Sequence, residues 1–213
     1  INLIEDENPD YVAVFGADHI YKMDISQMLD YHRQTGAVGT VAAIPRPISE
    51  AGSFGIIEVD VSGRMIGFEE KPNNPKPMPG DPSKVLVSMG NYIFNRKFLV
   101  RELFHDAGMA ASSHDFGRDV IPKIYNDYPI YVYDFSNNRI PGETPEQSLY
   151  WEDVGTLDAY YSANMALRDV LPEINLYNDH WPIRTAPAQS PPAKFVFSGE
   201  GNEKRIGEAL DSI

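Results

Sequence analysis

The run YVAVFGAD at residues 11–18 is apolar, short and closed by an aspartate. A segment with clear helix signals follows, and then a second apolar run, AVGTVAAI at 37–44. This order constrains the chain more than any other feature. Continuous apolar runs of that length read as strands buried on both faces, and strand, helix, strand is the signature of a βαβ unit. In the intervening DISQMLDYHRQTG, Asp24 can cap the helix. Ile25, Met28, Leu29 and His32 share one face, and Gly36 supplies the stop. Pro45 and Pro47 end the second strand.

The next pair differs in kind. FGIIEVD (54–60) and RMIGFEEK (64–71) are separated by VSG, which predicts a β-hairpin. Residues 72–84 hold five prolines and read as a loop, and VLVSMGNYIFN (85–95) as a long strand. Helical patterns cover 96–107 and 115–127, the second capped by Asp115. IYVYDF (130–135) reads as a strand, 136–148 as a polar loop, and LDAYYSANMALRDV as a helix capped by Thr156 and ended before Pro172. The sum is an α/β fold: a mixed sheet flanked by helices, with a doubly wound start and an antiparallel insertion. Ligands in such sheets collect beyond the carboxyl ends of the strands, where Asp18 should sit.

Composition narrows the function. Of 213 residues 42% are apolar, too many for a disordered chain, and no apolar run is long enough to predict a membrane helix. The formal charge of −13 argues against nucleic acid and anionic membranes as partners. The absence of Cys excludes a disulfide framework and suits a cytoplasmic origin. The chain begins INLIEDENPD without an initiator Met, and Ile1, Leu3 and Ile4 read as the tail of an amphipathic helix. From about residue 186 it turns Pro- and Gly-rich. Both ends predict a piece of a longer protein.

Several residues could carry chemistry. Asp18 and Asp153 (in YWEDVGT) could each ligate a divalent cation, Mg²⁺ favouring oxygen donors and substrate phosphates; taken alone, Asp18 reads first as a cap, and Asp153 could be a turn residue. They lie 153 − 18 = 135 positions apart, so spacing cannot show that they meet. Glu152 is a possible third acid, but alternation along a strand points it away from Asp153. His19 reads as structural. Lys71 of FEEKP offers a point charge for a phosphate, or is a solvated lysine before a proline loop. Glu70 could accept hydrogen bonds from sugar hydroxyls, or partner a nearby cation. Ser88 and Tyr92, four apart on one strand, project from the same face and could donate to a polar ligand, or be ordinary strand residues. Gly55 could admit a ligand close to the backbone, or simply start a strand. GxGxxG, GxxxxGK[ST] and HExxH are absent from the sequence.

Taken in order, FGADHIYKMD, FGIIEVD, FEEKP, DPSK, SMGNYIF, SSHDFGRDVIPK, YWEDVGTLDAYY, NLYNDHWPIRT and PPAKFVF closely resemble the bacterial glucose-1-phosphate adenylyltransferases, over about residues 5–198. FEEKP is shared among sugar-nucleotide pyrophosphorylases, whereas SSHDFG, W-x-DVGT and WPIRT in this order are more specific. The resemblance implies a three-layer, Rossmann-like (GT-A-like) nucleotidyltransferase domain followed by a left-handed β-helix. It implies transfer of an adenylyl group from ATP to α-D-glucose 1-phosphate with Mg²⁺, in glycogen or starch synthesis, by an allosteric enzyme that is usually a homotetramer. Matched by motif, Asp18 and Asp153 are the implied metal ligands and, with Lys71, the implied catalytic residues. Gly55, Glu70, Lys71, Ser88 and Tyr92 are the implied glucose 1-phosphate contacts.

Against that pattern the family's first strand and Gly-rich nucleotide loop are missing before residue 1. Residues 1–186 are then expected to be a partial catalytic domain, with 187–213 a linker and the start of a truncated β-helix. Little turnover is expected of this piece alone. Two alternatives stay open: another sugar-1-phosphate nucleotidyltransferase using UTP or dTTP, and a non-catalytic regulatory subunit on the same fold. Retention of Asp18, Asp153 and Lys71 favours the catalytic type.

Overall fold

The computed structural model describes residues 2–145, 147–169 and 171–184. The expected linker and β-helix start, and the PPAKFVF motif, lie outside them.

The longest strand organises everything else. A short helix α1 (Asn2–Glu7) leads into β1 (Tyr11–Phe15) and β2 (His19–Tyr21). Helix α2 (Ile25–Thr35) and β3 (Gly39–Pro47) follow, then the hairpin β4 (Gly55–Val59) and β5 (Met65–Glu70). The 12-residue β6 (Lys84–Asn95) runs through the middle of the sheet. Helices α3 (Arg96–Ala107) and α4 (Ile121–Ile124), strands β7 (Ile130–Asp134) and β8 (Trp151–Asp153), and helix α5 (Leu157–Ala166) complete the described chain. The main sheet has the order β5-β4-β6-β3-β7, with β1 also on β6; β2 and β8 form a separate two-stranded sheet.

The local signals act as their chemistry requires. Asp24 accepts from the Ser26 amide, and Gly36 closes α2 at φ 65° in the left-handed region. Thr156 accepts from the Ala159 amide to start α5. Two expectations are corrected. Strands β1 and β3 do not pair as a simple βαβ unit. Both run antiparallel to β6, which lies between them because its length offers an edge to each. The helix expected over 115–127 is a π-helical turn at Phe116–Val120 followed by the four-residue α4. Pro122, which has no amide hydrogen to give, falls where the two meet.

Alternation along β6 divides the core. Leu86, Tyr92 and Phe94 pack with Phe98, Leu99, Val120 and Ile121 on one face. Val85, Val87, Met89 and Ile93 pack with Met28, Phe135 and Trp151 on the other. This is helix, sheet, helix, the three-layer arrangement expected. Where β3 pairs with β6, Val41 faces Tyr92 but Ala43 faces Ser88, so β6 carries two residues more than its partner. An even excess leaves the faces in phase, so Ser88 and Tyr92 stay on one side.

His32 shows how a polar group is carried in this core. It is 1% exposed. The Asn95 Nδ2 donates to the Ala37 carbonyl, which turns Oδ1 toward His32 Nε2 at 3.1 Å; that nitrogen therefore carries the hydrogen. Nδ1 then accepts from the Thr40 hydroxyl at 2.7 Å. Burial lowers the pKa of this imidazole, the Asn95 hydrogen bond opposes it, and the Arg33 charge adds to it. A lowered folded-state pKa means that the unfolded chain binds the proton first. His32 thus contributes stability above about pH 6.5 that is lost as the pH falls from there toward its folded pKa. Urea unfolding at pH 7.5 and 5.5 should show a loss of stability that His32→Gln flattens.

Candidate active site

One edge of β6 is shared. Strand β4 takes its first half, through Ile56–Val87 and Ile57–Leu86, and β1 takes its second half, from Phe15–Asn91 to Tyr11–Asn95. Between them Ser88 to Gly90 has no strand partner on that edge, the Gly90 carbonyl accepting instead from the Gly16 amide at 3.3 Å, and Gly90, at φ 69°, bends the strand there. A cleft of about 540 Å³ opens at this fork. Five segments line it: the end of β1 through Asp18 and His19, Ser53 to Gly55, the end of β5 with Glu70 and Lys71, Ser88 to Tyr92 on β6, and His114 to Gly117. Asp18, Gly55, Glu70, Lys71, Ser88 and Tyr92 therefore line one cleft.

Asp153 joins them through a pairing that spacing could not reveal. β2 and β8 are antiparallel with His19 opposite Asp153, and the Val154 amide donates to the Asp18 carbonyl at 3.3 Å. Trp151, 2% exposed, anchors β8, with its ring against His19 and Phe54 and under the Arg46 guanidinium. Arg46 also donates to the Trp151 carbonyl and lies 3.6 Å from Glu152. Glu152 is thereby engaged away from the cleft, as alternation predicts. Ligand atoms of Asp18, His19 and Asp153 all lie within 4.8 Å of one another. This donor set fits a divalent cation. It differs from the expected pair of carboxylates by one imidazole.

The hairpin end is built for its own side chains. A Cβ on Gly55 would meet the Phe68 ring at 2.6 Å and Glu70 Oε2 at 3.0 Å. The glycine makes room for these two, a reason beyond ligand access or strand initiation. Glu70 makes no ion pair among the described residues. Lys71 sits at φ 48°, and its amide donates to the Phe54 carbonyl at 2.9 Å. A lysine in the left-handed region costs about 1 kcal/mol relative to glycine, and that strain turns the chain off the strand at the cleft mouth. Tyr92 is 6% exposed and stacks on Phe94 and Phe116. Burial pushes its hydroxyl up to about 12, with the Ser88 hydrogen bond pulling the other way, so it serves as a neutral hydrogen-bonding group.

Residues 114–117 were not singled out as site residues by the sequence, although SSHDFG was prominent among its motifs. Their placement depends on Asp106. That carboxylate gathers Ser112 at 2.7 Å, His114 at 2.8 Å and Lys123 at 3.1 Å. His114, then Ser112 and Lys123, hold its pKa down to about 2. Asp115 accepts from the Arg118 amide at 2.8 Å, which sets Phe116 beneath Tyr92.

Among the described residues Lys71 is the sole lysine or arginine lining the cleft, against the carboxylates of Asp18, Glu70 and Asp115. An anionic ligand entering here meets a net negative wall unless a cation occupies the Asp18–Asp153 corner. That is a second sign that the site suits a metal.

A family model described as nucleotidyl transferase matches residues 1–170. A glucose-1-phosphate adenylyltransferase from Anaeromyxobacter dehalogenans is 54% identical over 100% of this chain and 52% of its own length. One from Vibrio cholerae is 55% identical over 92% of this chain and 48% of its own, and one from Aliivibrio fischeri 52% identical over 97% and 50%. The chain spans about half the length of the curated relatives it matches. No helix among the described residues is long and apolar enough to cross a membrane. With the family model matching residues 1–170, most of its length, the chain belongs to the nucleotidyl transferase family.

Proposed function

We propose that this chain forms the sugar-phosphate half of an enzyme that makes ADP-glucose and pyrophosphate from ATP and α-D-glucose 1-phosphate. The observation that carries the reading is the convergence of Gly55, Glu70, Lys71, Ser88 and Tyr92 on one cleft with Asp18 at its wall. The names of the adenylyltransferase relatives support ATP and glucose 1-phosphate as the substrates.

The residues divide the work by chemistry. Lys71 meets the sugar phosphate as a point charge. Glu70 accepts from ring hydroxyls, and Ser88 and Tyr92 donate or accept as the sugar demands. Phe54, Phe68 and Phe116 keep the sugar's surroundings dry. The sugar phosphate oxygen attacks the α-phosphorus of ATP in line and pyrophosphate leaves, so no protein nucleophile is needed and catalysis is positioning and charge neutralisation. Asp18 and Asp153 would hold Mg²⁺, which supplies positive charge for the phosphates of both substrates. Such an enzyme acts in the cytoplasm in glycogen or starch synthesis, as an allosterically regulated homotetramer.

The convergence of Asp18, Asp153 and Lys71 favours a catalytic chain over a regulatory one. The test is a nucleotide panel. Full-length enzyme with glucose 1-phosphate should yield ADP-glucose from ATP far faster than the corresponding products from UTP or dTTP. Preference for either of those would overturn the adenylyl assignment, and no product from any of the three would overturn the enzyme.

A further inference from the structure

We propose that His19 is a third protein ligand of the metal, a role that rests on the nucleotidyl-transfer reading of this site. The imidazole is held on two sides. Its Nδ1 lies 3.1 Å from the Met89 carbonyl, which can only accept, so Nδ1 carries the hydrogen. Its ring sits edge-on to buried Trp151 at 5.2 Å. The lone pair is thereby fixed on Nε2, and Nε2 faces Asp18 Oδ1 at 3.6 Å and Asp153 Oδ1 at 3.9 Å.

Those distances are too long for hydrogen bonds, and Nε2 makes none among the described residues. They are right for donors that share an ion. Two donors at about 2.1 Å from one cation lie about 3.0 Å apart at right angles and about 4.2 Å apart across it. A ligating histidine characteristically gives its other N–H to a backbone carbonyl, which fixes the tautomer and aims the ring; Met89 does this here. The strand pairing supplies the rest, since His19 and Asp153 are register partners and Asp18 immediately precedes His19. The His19 side chain is 16% exposed against 70% for Asp18, so the nitrogen forms the inner wall of the corner and the outer side stays open to substrate phosphates. One nitrogen among oxygens moves the preference from Mg²⁺ and Ca²⁺ toward Mn²⁺ and Co²⁺.

The test uses Mn²⁺ and the 213-residue chain without substrates. Pulsed electron paramagnetic resonance should show ¹⁴N coupling from one directly bound imidazole. His19→Gln should abolish it, weaken Mn²⁺ roughly tenfold or more and narrow the Mn²⁺ to Mg²⁺ affinity ratio. In the unmutated chain, substoichiometric Mn²⁺ should broaden the His19 ring signals before those of the other histidines, a readout that survives if the variant misfolds. Bound Mn²⁺ with no nitrogen coupling, coupling that persists in His19→Gln, or no binding at millimolar Mn²⁺ would each overturn the assignment. Because no sugar phosphate is present, nitrogen-bound Mn²⁺ in a chain that fails to bind glucose 1-phosphate would uphold this ligand while overturning the proposed function.

Discussion

Replacing Asp153 by alanine in the full-length enzyme should lower kcat for ADP-glucose formation by on the order of a thousandfold and change the KM for glucose 1-phosphate little. In the proposed reaction the carboxylate would hold the cation that offsets charge developing as the phosphates rearrange, and loss of such an interaction falls on the transition state rather than on ground-state binding. Asp153 also has a structural duty, since its Oδ1 accepts from the Gly155 amide at 2.8 Å. Asp153→Asn separates the two. The amide oxygen can keep that turn while the charge is lost, so the asparagine variant should retain its melting temperature and still lose most of the rate.

Replacing Lys71 by alanine should act the other way, raising the KM for glucose 1-phosphate about a hundredfold with a smaller effect on kcat. A charge-assisted contact to a phosphate stabilises by roughly 1.5–3 kcal/mol, and it is made in ground state and transition state alike. Lys71→Gly sharpens the test. Glycine relieves the left-handed backbone at φ 48°, so this variant should be no less stable than the parent while losing the same affinity.

Much of this site was legible because its parts are local. The strand ending near Asp18, the capped helix at Asp24, the hairpin ending in Glu70 and Lys71, and the shared face of Ser88 and Tyr92 each follow from a short pattern of side chains. What the sequence could not show was non-local. The pairing of His19 with Asp153 joins three-residue strands too short to have a period of their own, and it makes a histidine that reads as structural the neighbour of both carboxylates. The fork on β6 depends on two strands sharing one edge, which no periodicity encodes. The place of β6 between β1 and β3 likewise needed the register. The segment carrying His114 and Phe116 is held by Asp106, eight residues before His114, through contacts among polar side chains that have no period to read.

The cleft at the fork of β6 is claimed to hold glucose 1-phosphate with its phosphate on Lys71. Titrating glucose 1-phosphate into the ¹⁵N-labelled chain tests this directly, with glucose as the unphosphorylated control. Saturable shifts should centre on Gly55, Glu70, Lys71, Ser88 and Tyr92. They should be absent with glucose and weakened about a hundredfold by Lys71→Ala. Saturable shifts confined to other parts of the chain, or an affinity that Lys71→Ala leaves unchanged, would contradict it.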